Sequence, residues 1–349
     1  MTHDLYDVTI IGGGPAGLYS AFYSGLRGMK TKIIEYQNVL GGKVNVYPEK
    51  MIWDVGGQPP VTGERFMNQL IEQGLTFDPT VVYGEKVVSM QQDEDELFYL
   101  TDDSGNKHWT KTVIVAVGSG ILKPQKLKID NADRFEVSNL NYTVKSLKRF
   151  QDKTVIISGG GNSAIDWANE LEPIAKKVFV TCRKDHLSGH EAQVDQLMNS
   201  NATCLFNSCI ANLVPCPDRE MIEYVEVLNQ ETNEVEQVAV DEVIVNHGYE
   251  MDAELLQKSE LNLNMVDDYF IEGNATSETS VPGVFAAGDI LKHDGKLNLI
   301  AGTFQDAANA VNQAKQFISP DSSGQALVSS HNDVFKERNE QLKQQMLDT

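Results

Sequence analysis

Glu35, Asp289 and the pair Arg183-Lys184 are the side chains whose types and spacing say most about chemistry. Glu35 closes an apolar run, Thr31 to Ile34, eighteen residues after Gly17. At that spacing a carboxylate accepts hydrogen bonds from the ribose hydroxyls of an adenosine dinucleotide. Arg183 and Lys184 follow a second run, Lys177 to Thr181, at the point where an acid would bind a free 2′-hydroxyl. Cations there accommodate a 2′-phosphate instead, so this nucleotide is expected to be NADP rather than NAD. Asp289 ends Val281-Pro-Gly-Val-Phe-Ala-Ala-Gly288, where a backbone N–H and a carboxylate suit a ribityl or ribose hydroxyl beside the first nucleotide.

These residues need two strand-turn-helix units to position them. Val8-Thr-Ile-Ile-Gly12-Gly-Gly14-Pro-Ala-Gly17 reads as a buried parallel strand turning sharply into a helix that starts near Pro15 and Ala16. Gly12 serves the tight turn, Gly14 admits a pyrophosphate to the backbone, and Gly17 lets helix and strand pack closely. The helix N-terminus then meets the phosphate with free N–H groups and the positive end of its dipole. The pattern repeats at Thr154-Val-Ile-Ile-Ser-Gly159-Gly-Gly161-Asn162-Ser163-Ala164, and two such folds in one chain predict two dinucleotides. The loop Leu40-Gly-Gly42-Lys43-Val-Asn-Val-Tyr47-Pro-Glu49 has no steady period, can approach a flat ring closely, and carries Tyr47 as its aromatic residue.

The intervening segments read as scaffold. A helix is expected over 63–74, with Phe66, Leu70 and Ile71 inward, and short strands over 80–83, 86–90, 97–101 and 109–115. Ile121 to Pro124 reads as an extended linker, and 203–247 as further strands. Leu299 to Phe317 reads as a long helix whose start, Ala301-Gly-Thr303, faces a negatively polarised ring edge. The tail from Ser319 is polar, with an exposed helix over 333–346.

With 349 residues the chain is long enough for two cores, and its 41% hydrophobic and 23% charged content is that of a soluble globular protein. The net charge of -21 argues against non-specific binding to nucleic acid or to an anionic membrane surface. No apolar run reaches the ~18 residues of a membrane span, and Met-Thr-His-Asp lacks the basic and apolar stretches of a secretion signal. A cytoplasmic protein is expected. Cys182, Cys204, Cys209 and Cys216 show neither CxxC nor zinc-site spacing, so four reduced thiols and no metal are expected.

Together these motifs resemble the two-dinucleotide flavoprotein reductases of the thioredoxin reductase type, and within them the homodimeric ferredoxin (flavodoxin):NADP reductases. GGGPAG with Glu35, GGKVNVYPEK, VIVAVG, GGGNSAIDWA and VPGVFAAGD occur in family order between about residues 5 and 320. The resemblance implies an α/β fold of two Rossmann-like, three-layer dinucleotide-binding domains. One is discontinuous (1–118 and 248–349) and binds FAD; the other (119–247) binds NADPH. The implied FAD contacts are Gly12, Gly14, Pro15, Ala16, Gly17, Glu35, Gly42, Lys43, Asp289 and Thr303. Those for NADPH are Gly159, Gly161, Asn162, Ser163, Arg183 and Lys184. Tyr47 is implied to cover one flavin face, and His331, in the C-terminal extension of a partner subunit, to approach the other.

The chain departs from the pattern at two places. Cys182-Arg-Lys stands where relatives have His-Arg-Arg, and Asn139-Leu-Asn-Tyr-Thr-Val stands where a thioredoxin reductase carries CxxC. The expected activity is electron transfer between NADPH and ferredoxin or flavodoxin. Two alternatives stay open: a flavin-dependent disulfide reductase, diaphorase or NADPH oxidase, and a non-catalytic flavin and nucleotide sensor. Because the chain is acidic and ferredoxins are too, docking needs a local basic face, for which Lys123, Lys126, Lys128, Lys145, Lys148 and Arg149 are the candidates.

Overall fold

In the computed structural model, which describes residues 4–120, 123–217, 220–250, 252–328 and 331–347, the first apolar run forms β1 (Tyr6–Ile11). Val8, Thr9 and Ile10 are wholly shielded from solvent, as a strand covered on both faces requires. α1 (Pro15–Leu26) leads to β2 (Thr31–Glu35), which pairs parallel to β1 with Ile10 opposite Ile33. The Gly42–Val46 stretch, read as irregular, forms a turn of 3-10 helix. An antiparallel pair, β3 (Met51–Ile52) and β4 (Val61–Thr62), precedes α2 (Gly63–Gly74). Thr62 caps α2 by accepting the N–H of Arg65. Of the expected inward residues, Phe66 and Leu70 are buried whereas Ile71 is half-buried, Met67 taking the inward place instead.

β5 (Thr80–Tyr83) pairs with β2, and β6 (Val87–Gln92), β7 (Phe98–Asp102) and β8 (Lys107–Val115) form an antiparallel meander. β8 is long enough to serve twice. Its first half pairs with β7, and its apolar second half runs parallel to β1, which gives the order β5-β2-β1-β8-β7-β6.

The second unit repeats the plan. β9 (Leu140–Asn141), β10 (Thr154–Ser158), α3 (Asn162–Leu171), β11 (Lys177–Thr181), α4 (Glu191–Met198) and β12 (Thr203–Leu205) come first. An antiparallel sheet of β13 (Ser208–Pro215), β14 (Ile222–Asn229) and β15 (Val235–Ala239) follows, then β16 (Glu242–Val245). The parallel sheet has the order β12-β11-β10-β16-β9. α4 has no counterpart in the sequence reading, because Leu197 is its one buried residue and it shows no apolar repeat.

The chain then returns to the first unit through α5 (Glu254–Lys258), β17 (Met265–Val266), β18 (Phe270–Glu272), β19 (Val284–Ala286), β20 (Leu291–Lys292) and α6 (Ile300–Ile318), ending in the exposed α7 (Lys336–Leu347). β19 pairs parallel with β8, Phe285 opposite Ile114, so the Val281 segment does enter the first sheet. α6 buries Thr303, Asp306, Ala307, Ala310, Val311 and Ala314, a stripe at helical spacing whose small residues let it pack against α1.

Two compact units result: Met1–Asn45 with Lys50–Leu122 and Met251–Thr349, and Val46–Glu49 with Lys123–Glu250. Val46–Glu49, expected with the first unit, packs with the second because Tyr47 lies on its apolar core and Glu49 Oε2 accepts the N–H of Leu147 at 2.7 Å. Ile121 and Leu122, half of the expected linker, lie outside the described residues. Among the described residues no helix is long and apolar enough to cross a membrane.

Candidate active site at two glycine turns

The first turn forms where β1 runs out. Gly12 adopts φ +104°, and a Cβ there would stand 2.5 Å from the carbonyl oxygen of Ala116 on the neighbouring strand's exit. A Cβ on Gly17 would meet the oxygen of Gly12 at 1.9 Å, so helix and turn touch as directly as the spacing predicts. α1 begins on Gly14 with no side-chain cap and no acid in its first turn, and Pro15 removes one N–H that would otherwise need a partner. Gly42 passes over this turn, its would-be Cβ 2.9 Å from the α-carbon of Gly14, while Lys43 beside it is exposed.

Glu35 reaches the same turn from β2. Its Oε2 accepts the N–H of Gly13 at 2.6 Å and its Oε1 that of Gln37 at 2.7 Å. Burial pushes its carboxyl above the ordinary range, against the opposing pull of these N–H groups. Gly288 adopts φ +81° at the end of β19, and a Cβ there would lie 3.0 Å from that of Ala16. Asp289 next to it is half-buried and accepts no hydrogen bond among the described residues. Thr303 is buried at the start of α6, its hydroxyl turned back to the carbonyl of Leu299. Buried N–H groups without a side-chain cap, a carboxylate fixed at the turn and a second one unpartnered fit a dinucleotide whose hydroxyls need acceptors and whose phosphates need donors.

The second turn repeats this at the end of β10. Gly159 has φ +150°, and a Cβ would stand 2.5 Å from the carbonyl oxygen of Asn246. A Cβ on Gly161 would meet nothing within 4 Å, which leaves room against the uncapped start of α3. Asn162 and Ser163 are exposed there, and Asn162 Oδ1 accepts the N–H of His190 at 3.0 Å. Arg183 and Lys184 are exposed immediately past β11. Lys184 Nζ lies 3.4 Å from Ser188 Oγ, whereas Arg183 has no ion pair among the described residues. No acid takes the place of Glu35. His247, unforeseen in the sequence, places Nε2 2.9 Å from Ser158 Oγ; desolvation and the charge of Arg183 hold its imidazole below the ordinary value.

Tyr47 is half-buried against the core that contains Val144 and Phe150. His331 is exposed, its N–H bonded to the carbonyl of Val328 at 2.9 Å, and no described contact brings it to the first turn. All four cysteines are free thiols in residues 182–216, Cys182 being buried. The stretch that stands in place of a dithiol has a structural use: buried Asn139 donates to the carbonyls of Ile222 and Asp241 and accepts the N–H of Ile222. Its neighbours Leu140 and Asn141 form β9.

Three of the six candidate docking cations are neutralised: Lys123 by Glu250, Lys126 by Glu136 and Arg149 by Glu242. Lys128, Lys145 and Lys148 are exposed and have no ion pair among the described residues. One group, Glu85, Asp102 and His108, has the composition of a metal set. Lys32 Nζ lies 3.4 Å from His108 Nδ1, which puts the ring proton on Nε2, facing Asp102 and Glu85 at 3.2 Å each. The ammonium of Lys32 thus lies across the ring from the two carboxylates; burial raises the Glu85 carboxyl, and the charge of Lys32 pulls against that.

A carboxylate-bearing glycine turn and a cation-bearing one, each at the carboxyl end of a parallel sheet, define a two-dinucleotide oxidoreductase. Residues 6–314 match the pyridine nucleotide-disulphide oxidoreductase family, and the chain belongs to it. Within that family it is 68% identical over 345 residues to ferredoxin-NADP reductase 1 of Bacillus cytotoxicus, covering 99% of both chains. It is 65% identical over 344 residues to ferredoxin-NADP reductase 2 of Exiguobacterium sibiricum, covering 99% of this chain and 98% of that one. The fold is that of thioredoxin reductase: the Lactococcus lactis enzyme superposes with a TM-score of 0.74 at 24% identity, over 90% of this chain and 99% of its own.

Proposed function

We propose that this protein is an FAD-dependent reductase that passes electrons between NADPH and a small one-electron carrier, ferredoxin or flavodoxin. The contrast between the two turns carries the reading: Glu35 fixed beside the first, Arg183 and Lys184 exposed beside the second. Full-length relatives at 65–68% identity bear the name ferredoxin-NADP reductase, which supports it. In this reading the unit of residues 1–45, 50–122 and 251–349 binds FAD and that of 46–49 and 123–250 binds NADPH.

The residues divide the work as follows. Gly12, Gly14, Gly17 and Gly42 clear the backbone for the FAD pyrophosphate, with Pro15, Ala16 and Lys43 lining it. Glu35 accepts from the adenosine ribose, Asp289 from the ribityl chain, and Thr303 holds the start of α6 towards the ring. Gly159, Gly161, Asn162 and Ser163 receive the NADPH pyrophosphate, and Arg183 and Lys184 its 2′-phosphate. FAD, when bound, supplies the conversion between one two-electron donor and two one-electron acceptors. The balance is one NADPH and two oxidised carriers giving NADP⁺, one proton and two reduced carriers.

Tyr47 and His331 flank the flavin in this reading, with His331 supplied by the partner subunit of a homodimer. The protein is cytoplasmic, consistent with four unpaired thiols. Lys128, Lys145 and Lys148 give an acidic carrier its unpaired cations.

Anaerobic titration with NADPH, followed by addition of ferredoxins and flavodoxins, tests the proposal. Steady carrier reduction is expected, and it should persist when Cys182, Cys204, Cys209 and Cys216 are all replaced by Ser. Reduction of thioredoxin but of no ferredoxin or flavodoxin would make the protein a disulfide reductase. A single flavin reduction with no turnover on any acceptor would make it a sensor.

A further inference from the structure

The apolar stripe of α6 contains one carboxylate. Asp306 sits one turn after Thr303 with its side chain 8% exposed, and Lys296, from the loop between β20 and α6, donates to its Oδ2 with a side chain 6% exposed. The same oxygen accepts the N–H of Gly288 at 3.1 Å. His293 Nε2 lies 3.8 Å from Oδ1 and, though buried, has no hydrogen-bond partner. Two opposite charges have therefore been taken out of water, at a cost that packing alone does not require. They have been placed one hydrogen bond from the strand end that faces Ala16 of the first glycine turn.

We propose that Lys296 and Asp306 are positioning residues that hold the strand end beside the flavin rigid without biasing its reduction potential, each cancelling the shift the other would impose, a proposal that rests on FAD occupying the first turn. Asp306 holds the N–H of Gly288, and with it the orientation of Asp289. Lys296 cancels the carboxylate's charge, so the strand end is rigid yet neutral. In an interior where water screens little, either charge left alone reaches the ring. A reduced flavin carries more negative charge than an oxidised one; an uncompensated Lys296 favours it and an uncompensated Asp306 opposes it.

The test is spectroelectrochemical titration of the FAD-loaded native protein and of Asp306→Asn, Lys296→Met and the double variant Lys296→Met/Asp306→Leu. Asp306→Asn, which keeps an acceptor for Gly288, should raise the midpoint potential. Lys296→Met should lower it, and the double variant, which removes both charges, should return it close to the native value. Where a single variant releases FAD, the same shift is read from its relative affinity for oxidised and reduced FAD added in excess. If Lys296→Met does not fold, Lys296→Gln replaces it, and a potential that does not fall in that variant, or a double variant far from native, overturns the proposal. Shifts of the same sign, or none, overturn it too, since a purely structural pair would alter melting temperature and FAD retention without opposite electrical signs. A native protein that binds no FAD would instead refute the function on which this rests.

Discussion

The N–H of Gly13 points at Oε2 of Glu35 across 2.6 Å, which ties the end of the second strand to the turn after the first. The carboxylate is thereby aimed before any ligand arrives, and Glu35→Ala removes both the acceptor and this brace. FAD retention should fall by about 1.5–3 kcal/mol, roughly ten- to a hundred-fold in Kd. Fluorescence titration of the apo-protein measures it. Because burial raises the carboxyl above its reference value of 4.5, the native protein should begin to lose FAD affinity above that pH as acid is added.

Two glycines should respond in opposite ways to the same methyl group. In Gly17→Ala the new carbon meets the Gly12 oxygen at 1.9 Å, a backbone atom that cannot turn aside. The strain should cost about 1–3 kcal/mol or more and show as a lower melting temperature. Gly161→Ala meets nothing within 4 Å, so its melting temperature should stay native. Its KM for NADPH should rise instead, because the methyl occupies the space expected for the pyrophosphate.

Arg183→Ala should raise the KM for NADPH about tenfold or more, the equivalent of one charge-assisted contact, and leave that for NADH nearly unchanged. Lys184→Ala should do less, since its ammonium is shared with Ser188. Steady-state kinetics with both nucleotides decides the matter; equal losses for NADH would mean that these cations do not read the 2′-phosphate.

The Lys32-His108-Asp102 group gives the fold an acid limit. Burial holds His108 below its reference value of 6.5. Burial alone would raise Asp102, but hydrogen bonds with Asn106, Glu85 and His108 outweigh it and hold the carboxyl at about 2. For both groups the unfolded chain binds protons first. Their stabilisation is complete above 6.5 and 3.8 respectively, and is lost as pH falls below those values. Glu85 has the opposite sign, raised by burial and by its acidic neighbour, and offsets part of this. Asp102→Asn should lower the melting temperature at pH 7, by on the order of 2 kcal/mol in stability, and flatten its decline between pH 4 and 2. Melts across that range check it, and an unchanged slope would show that Asp102 is not the group responsible.

Where the physics is local, the residues were readable in order. The strand at 6–11, the glycines at 12 and 17, the carboxylate of Glu35 and the repeat at 154–164 follow from apolar runs and from the few residues that allow a strand to turn at once into a helix. The same logic located α2 and α6, whose buried residues recur at helical spacing. The chain's own order cannot say that Asn139 would be spent on the backbone of β14, or that Glu250 and Glu136 would neutralise Lys123 and Lys126. Asn139 and Lys123 find partners more than eighty residues away, and Lys126 meets Glu136 ten residues on across a turn that no repeat in the sequence marks.

By itself the sequence determined two dinucleotide turns, the sign of charge beside each, and the lack of a CxxC dithiol, because each is written in contiguous residues. Only the tertiary structure decided that Asp306, a charge on an otherwise small and apolar helix face, would be buried with Lys296 against Gly288. It likewise decided that Tyr47 and Glu49 would pack on the second unit, and that His108 would stand between Lys32 and Asp102. Burial creates those relationships. A charge withdrawn from water must find its partner wherever the fold brings one, and no spacing along the chain encodes that meeting.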